Sequence, residues 1–175
     1  MFTKQWYNTL MSMATGVTIE NGYIDYNNIT QPTVYTENSS YRWYNVSPKY
    51  IMSRGAKTTT INEYGVMFGD GDTPATKDDI KLAGSLITTI SSSVSITSSN
   101  DDTGSTCTGV FTVTNTGSAE ITIREVVMYG RCPRNTTGGA YPCVIERTVL
   151  DTPVTIPAGG IGQVTYTIRM NYPTA

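Results

Sequence analysis

Histidine does not occur anywhere in this chain of 175 residues. That single absence excludes Ser-His-Asp and Cys-His nucleophilic catalysis, the HExxH zinc site and every metal site built on imidazole. Charge is also scarce, at 15% of residues, where an average soluble protein carries roughly 25%. Long surface helices draw on Lys and Glu and are therefore disfavoured; the Ser, Thr, Asn and Gly that replace them suit short strands joined by polar turns. No stretch collects basic residues and the net charge is -2, so nucleic acid is not an expected partner. Apolar runs are short, well below the roughly 18 residues of a membrane-spanning helix. The opening MFTKQWYNTLMSMATG lacks the apolar stretch and small-residue cleavage site of a signal peptide, which reads as a protein that is cytosolic when made.

Cysteine is nearly missing. Cys107, Cys132 and Cys143 are odd in number and include no CxxC pair, so neither a complete disulfide framework nor a zinc ribbon is indicated. A Cys132–Cys143 bridge across one loop stays open beside the plainer reading, three thiols of a protein made in a reducing cytosol.

What is present is mostly β pattern. The one helical signal is Phe2, Trp6, Leu10 and Met13, whose spacing puts them on one side of a short helix that Gly16 could end. Such a stripe packs either on the protein's own core or on a neighbouring subunit. Residues 17–50 are aromatic and polar and contain Tyr41, Trp43 and Tyr44, of which Tyr41 and Trp43 share a strand face. These seven residues, Phe2, Trp6, Leu10, Met13, Tyr41, Trp43 and Tyr44, form the candidate assembly interface.

From residue 51 the strand signals sharpen. Gly65–Gly69 reads as a short apolar strand, and Thr76 to Asp79 as a capping-box start to a brief helical turn that Gly84 ends. Leu86–Ile96 alternates as one long or two short strands, and Ser98–Gly104 reads as a polar loop. Gly109–Ile123 predicts a β-hairpin, with Phe111 and Val113 facing Ile121 and Ile123 and a turn at Asn115–Ser118. A shift of phase near Val126, Val127 and Met128 asks for a bulge. Residues 144–150 and the alternating Val164, Tyr166 and Ile168 supply further strands. The expected fold is all-β and mainly antiparallel, a β-sandwich of Greek-key type with a short N-terminal helix. The expected division is an N-terminal helix and aromatic arm over 1–50 and a β-sandwich domain over 51–175.

Of the groups tested for chemistry, only Asp70, Asp72, Asp78 and Asp79 resemble a site, because a hard cation such as calcium takes several oxygen ligands from a flexible loop. Their spacing departs from the EF-hand loop, where Pro74 and Ala75 fall at positions five and six, and turn and capping duty explains each of them. No Gly-rich phosphate loop and no motif selecting a pair of carboxylates is present. The expectation is therefore a protein that is not an enzyme and uses no cofactor.

Three stretches together resemble small structural proteins of tailed-bacteriophage virions: Met1 to Tyr7, Gly65 to Pro74 continuing through Asp79 to Leu82, and the region from Thr114 through Glu125 to Leu150–Gly160. The resemblance covers the C-terminal two-thirds and the extreme N-terminus and is one of pattern. It implies a β-sandwich subunit repeated many times in the particle, at the capsid surface, a head fibre or the tail, assembled in the host cytoplasm. Its implied partners are copies of itself, a trimer being one arrangement, and other virion proteins such as major capsid or tail proteins, with no nucleic acid and no membrane. It carries over no functional residue. The alternative is a carbohydrate- or host-surface-binding β-sandwich module, suggested by twelve tyrosines and two tryptophans on a β scaffold.

Overall fold

The computed structural model describes residues 1–8, 19–24, 30–33, 65–133 and 140–172, with the backbone alone for 19–24, 30–33, 131–133 and 140–141. Its strands are β1 (Ile19–Ile24), β2 (Thr30–Thr33), β3 (Gly65–Gly69), β4 (Ile90–Asp101), β5 (Gly104–Asn115), β6 (Ile121–Pro133), β7 (Ala140–Ile156) and β8 (Ile161–Asn171). β1 and β2 pair with each other, while the remaining strands make two antiparallel three-stranded sheets in the orders β3-β6-β7 and β4-β5-β8. The fold is the expected all-β sandwich, with a helix that starts at Lys4.

The core lies where the two sheets face each other. β8 alternates cleanly, with Val164, Tyr166 and Ile168 inward and Gln163, Thr165 and Thr167 exposed, as a strand with one wet face must. β5 contributes Phe111 and Val113, and β6 contributes Ile123, Val126 and Met128. Phe111 meets Phe68 of the opposite sheet edge to face, ring centroids 5.5 Å apart, a geometry that matches the positive ring edge to the negative ring face. The β3-β6-β7 sheet is buried on both faces: Met67, Val127, Tyr129 and Val144 point away from the sandwich into a second apolar cluster closed by Leu82. A sheet covered on both sides reads as continuous apolar sequence, and Val126–Tyr129 does.

The expected hairpin between residues 109 and 123 is instead an arch. β5 pairs with β4 and β8, β6 pairs with β3 and β7, and the chain crosses from one sheet to the other at residues 116–120. Phe111 and Val113 do meet Ile121 and Ile123, but across the core rather than along a ladder. What ties the crossing down is Asn115, fully buried, whose side chain bonds to both of the connections between the sheets. Its Nδ2 donates to the carbonyls of Ala119, Ile156 and Pro157 at 2.8, 3.1 and 3.1 Å, and its Oδ1 accepts from the Gly117 N–H at 2.9 Å. It thereby ties this arch to the second one, Pro157–Gly160, where Gly159 holds φ +69° in a turn closed by Gly160 N–H to Pro157 O at 2.9 Å. Alanine at Asn115 takes the acceptor from the Gly117 N–H and a donor from the Ala119, Ile156 and Pro157 carbonyls, of which Pro157 keeps the Gly160 N–H, and is expected to cost about 2–3 kcal/mol in a urea melt.

Other expectations shift for equally local reasons. Ser98–Gly104 is not a loop: β4 and β5 pair without a break from Ile90↔Asn115 to Asp101↔Gly104, around a two-residue turn at Asp102 and Thr103. That turn is held by Asp101, which accepts from the Thr103 N–H and hydroxyl and from Arg169. No helix follows Thr76. The capping box forms, Thr76 N–H donating to Asp79 at 2.8 Å, but only a turn at Lys77 and Asp78 results, and Gly84 serves a different contact described below. The phase shift in β6 is real and is absorbed on β7, where residues 150–153 bulge opposite Arg124 and Ile145 bulges near Tyr129.

Cys143 is disulfide-bonded and buried, whereas Cys107 stands as a half-buried thiol, so the reading of three thiols gives way. Pairing of β6 with β7 sets Cys132 opposite Tyr141 and Gly130 opposite Cys143, which brings the backbones of Cys132 and Cys143 to diagonal positions. The expected loop between them is accordingly the end of a hairpin.

Candidate assembly surface

Phe2 and Trp6 pack on this chain's own sandwich. Trp6 is 5% exposed within the main core, and Phe2, half-buried, stacks on it with centroids 5.8 Å apart. The preceding residues run along β7 as a short added strand: Thr3 N–H donates to Ile145 O at 3.1 Å, Arg147 N–H donates to Met1 O at 3.2 Å, and the Thr3 hydroxyl donates to Val144 O at 2.5 Å. Residues 1–8 thus cover an edge of the β3-β6-β7 sheet that would otherwise present unpaired backbone groups. Leu10, Met13, Tyr41, Trp43 and Tyr44 lie outside the described residues.

The acidic cluster resolves into structural duties. Residues 70–86 form a strap over the outer face of the β3-β6-β7 sheet, fastened by a buried ion pair between Glu125 of β6 and Arg147 of β7, Arg147 Nε to Glu125 Oε2 at 2.7 Å. Glu125 also accepts the N–H groups of Gly71, Ala83 and Gly84 at 3.2, 3.1 and 2.8 Å. Arg147 donates to the carbonyls of Thr73 and Pro74 and, at 3.0 Å, to Asp79. A carboxylate and a guanidinium out of water require this many partners, because an unpaired charge in such a place is far more costly than the pair is favourable.

The glycines follow from the same crowding. A Cβ on Gly71 would lie 2.4 Å from the Gly84 nitrogen, and one on Gly84 would lie 2.3 Å from the Gly71 nitrogen, so the strap's two ends close only when both are glycine. Asp70 accepts from Ser85 N–H at 2.6 Å, and Asp78 sits on the surface against Lys4 and Lys77. Asp72 is exposed. Among the described residues no three carboxylates or thiols gather to hold a metal ion.

Electrostatics agree with a structural role. Burial pulls the Asp79 carboxyl up, but the Thr76 N–H and Arg147 outweigh it and hold the group below the usual carboxylate range. Burial likewise works against the Arg147 charge and is overcome by Glu125 and Asp79. Tyr129, whose hydroxyl accepts Leu82 N–H at 3.2 Å, is pushed far up by burial, with the nearby Glu125 charge adding to it. A phenol raised in the folded state stabilises fully below its unfolded value, near 10, and that contribution fades as the pH climbs past it. Tyr129→Phe is therefore expected to flatten part of the alkaline limb when urea midpoints are compared between about pH 8 and pH 11.

The outward face of β4 is polar and carries no charge before Asp101. On β4 the outward residues Ser91, Ser93, Ser95 and Thr97 are exposed, while Val94 and Ile96 on the inner face are only partly buried against the core. Among the described residues no strand pairs with the outer edge of β4. Sequence reasoning missed Glu125, Arg147, Asn115 and this edge; the one signal for the edge is the run Ile87–Asn100, which holds neither a charge nor a proline. Among the described residues no helix is long and apolar enough to cross a membrane. Comparison with protein-family models, with curated proteins and with solved structures finds no match for the chain.

Proposed function

We propose that the chain is a non-enzymatic structural subunit of a tailed-bacteriophage virion, present in many copies at the capsid surface, a head fibre or the tail, and acting through protein–protein contacts with itself and other virion proteins. The observation that carries this reading is the use to which the buried charges are put. Glu125, Arg147 and Asp79 are buried or half-buried, and their partners are one another and the backbone of the strap, while the other buried carboxylate, Glu146, pairs through Oε1 with the Met1 amino group and the Thr148 hydroxyl. A catalytic carboxylate keeps an oxygen directed at a substrate position; Glu125 instead closes both of its oxygens on the fold. The pattern resemblance of Gly65–Pro74 with Asp79–Leu82, and of Thr114–Glu125 with Leu150–Gly160, supports the same reading, since those stretches fall on β3, the strap and the two arches of this sandwich. A protein inventory of purified particles should contain the chain in many copies per particle, and its absence from them would refute the assignment.

A further inference from the structure

We propose that the cavity between β7 and β8 binds a neutral hydroxylated ligand of about the size of one sugar ring, with Glu146 accepting a hydrogen bond from its hydroxyl. The site goes beyond the virion reading and does not depend on it.

The cavity measures about 200 Å3, and its described wall is Met1, Phe2, Glu146, Thr167, Ile168 and Arg169. It lies on the side of the sandwich where β7 and β8 meet. Glu146 is paired with Met128, a residue of the main core, and directly opposed residues share a sheet face, so the Glu146 side chain leaves β7 toward the sandwich. Ile168 is on the core face of β8.

The observation that points to a ligand is the state of Glu146, which is 5% exposed. Its Oε1 accepts from the Met1 amino group and, at 2.7 Å, from the Thr148 hydroxyl. Its Oε2 is buried and has no hydrogen-bond partner. A buried carboxylate oxygen left in that condition is costly, and few native polar groups are found so.

Charge selects the class of ligand. Glu146 is already balanced by the Met1 amino group, and the Arg169 guanidinium on the same wall is balanced by Asp101 at 2.9 and 3.0 Å. A cation would therefore add uncompensated charge, and an anion would face the carboxylate. A neutral hydroxyl does neither, and gives Oε2 a charge-assisted bond. Phe2 and Ile168 supply apolar wall for ring carbons. Since a cavity of about 150 Å3 holds benzene, this one has room for a ring with substituents. Glycoside hydrolysis takes two carboxylates flanking one bond, and the described wall holds a single one, so the site binds without cleaving.

Amide NMR of the full chain, titrated with glucose, galactose, mannose and N-acetylglucosamine up to tens of millimolar, tests this. At least one sugar should shift the Glu146, Thr167, Ile168 and Arg169 amides saturably, while butylammonium and butyrate should not. Glu146→Gln, checked for an unchanged circular dichroism spectrum, should weaken that sugar by about tenfold, the difference between a charged and a neutral acceptor. Ser91→Ala, on the exposed face of β4, should bind as the unsubstituted chain does. A methyl glycoside that binds as tightly as its parent sugar assigns the end of a glycan; one that binds only as the free sugar assigns a soluble ligand. No saturable shift with any of the sugars would overturn the site and leave Oε2 to a bound water. Equal shifts with butylammonium or butyrate, or a folded Glu146→Gln that binds undiminished, would overturn it as well. None of these results bears on whether purified particles contain the chain.

Discussion

Replacing Glu125 by alanine is expected to remove about 3–5 kcal/mol of stability, a loss that follows from leaving a buried guanidinium without its carboxylate. Arg147 is 1% exposed and would keep Asp79 and two carbonyls, but not the carboxylate that lies 2.7 Å from its Nε. The cost does not stop with the charge. The N–H groups of Gly71, Ala83 and Gly84 all end on Glu125, so the strap loses its acceptors at both ends.

This separates two accounts of the pair. If it were a simple buried salt bridge, the double substitution Glu125→Leu with Arg147→Met would restore most of the stability, because apolar replacements of buried pairs are often neutral or better. Here the double variant should stay well below the unsubstituted protein, since each stranded N–H carries a penalty of about 1–3 kcal/mol. Glu125→Gln, which keeps an acceptor oxygen while losing the charge, should fall between the single alanine and the unsubstituted chain. Urea midpoints of the four proteins order these outcomes, and full recovery in the double variant would show that the strap does not depend on Glu125.

Trp6→Ala is expected to cost about 3–5 kcal/mol, the range for deleting a large buried aromatic side chain. Trp6 belongs to the same buried cluster as Phe68, Val126 and Ile145, and its removal also takes the stacking partner of Phe2. Were the first residues an arm independent of the sandwich, the substitution would change the urea midpoint no more than an ordinary surface change, within about 0.5 kcal/mol. Tyr7→Ala is the matched control: Tyr7 neighbours Trp6 in sequence, is 56% exposed, and should fall within that surface range.

Much of the sandwich was legible because its strands obey a period of two. Alternation put Val164, Tyr166 and Ile168 on one strand face and Phe111 and Val113 on another, and these are the faces that turn to the core. Which strands pair was not legible at the 109–123 segment, because a turn sequence such as Asn115-Thr116-Gly117-Ser118 suits an arch as well as a hairpin. The deciding fact, Asn115 bonding to Ile156 and Pro157, lies about forty residues further along the chain.

The strap explains the other gap. Glu125 and Arg147 look like ordinary wet positions in amphipathic strands, and become buried only because residues 70–86 cover that face of the sheet. The Thr76–Asp79 capping chemistry was recognised and forms at the Lys77–Asp78 turn, whereas Asp70, read as a turn residue, accepts from Ser85 N–H where the strap closes. The strap's target on β6, however, is set by three-dimensional closure and leaves no local pattern. For the assembly interface, helical spacing picked out Phe2 and Trp6, but Phe2 bridges to Glu146 of β7 ahead of the helix, which starts at Lys4, and the spacing does not say whose core the two enter.

Amide hydrogen exchange on the strap puts the central claim, that the acidic residues of this chain hold its fold, to its most direct test. The N–H groups of Gly71, Ala83 and Gly84 should exchange as slowly as those in the middle of β6, and Glu125→Ala should release them while β6 stays protected. Exchange at these positions in the unsubstituted protein as fast as at the exposed Asp102–Thr103 turn would contradict the account.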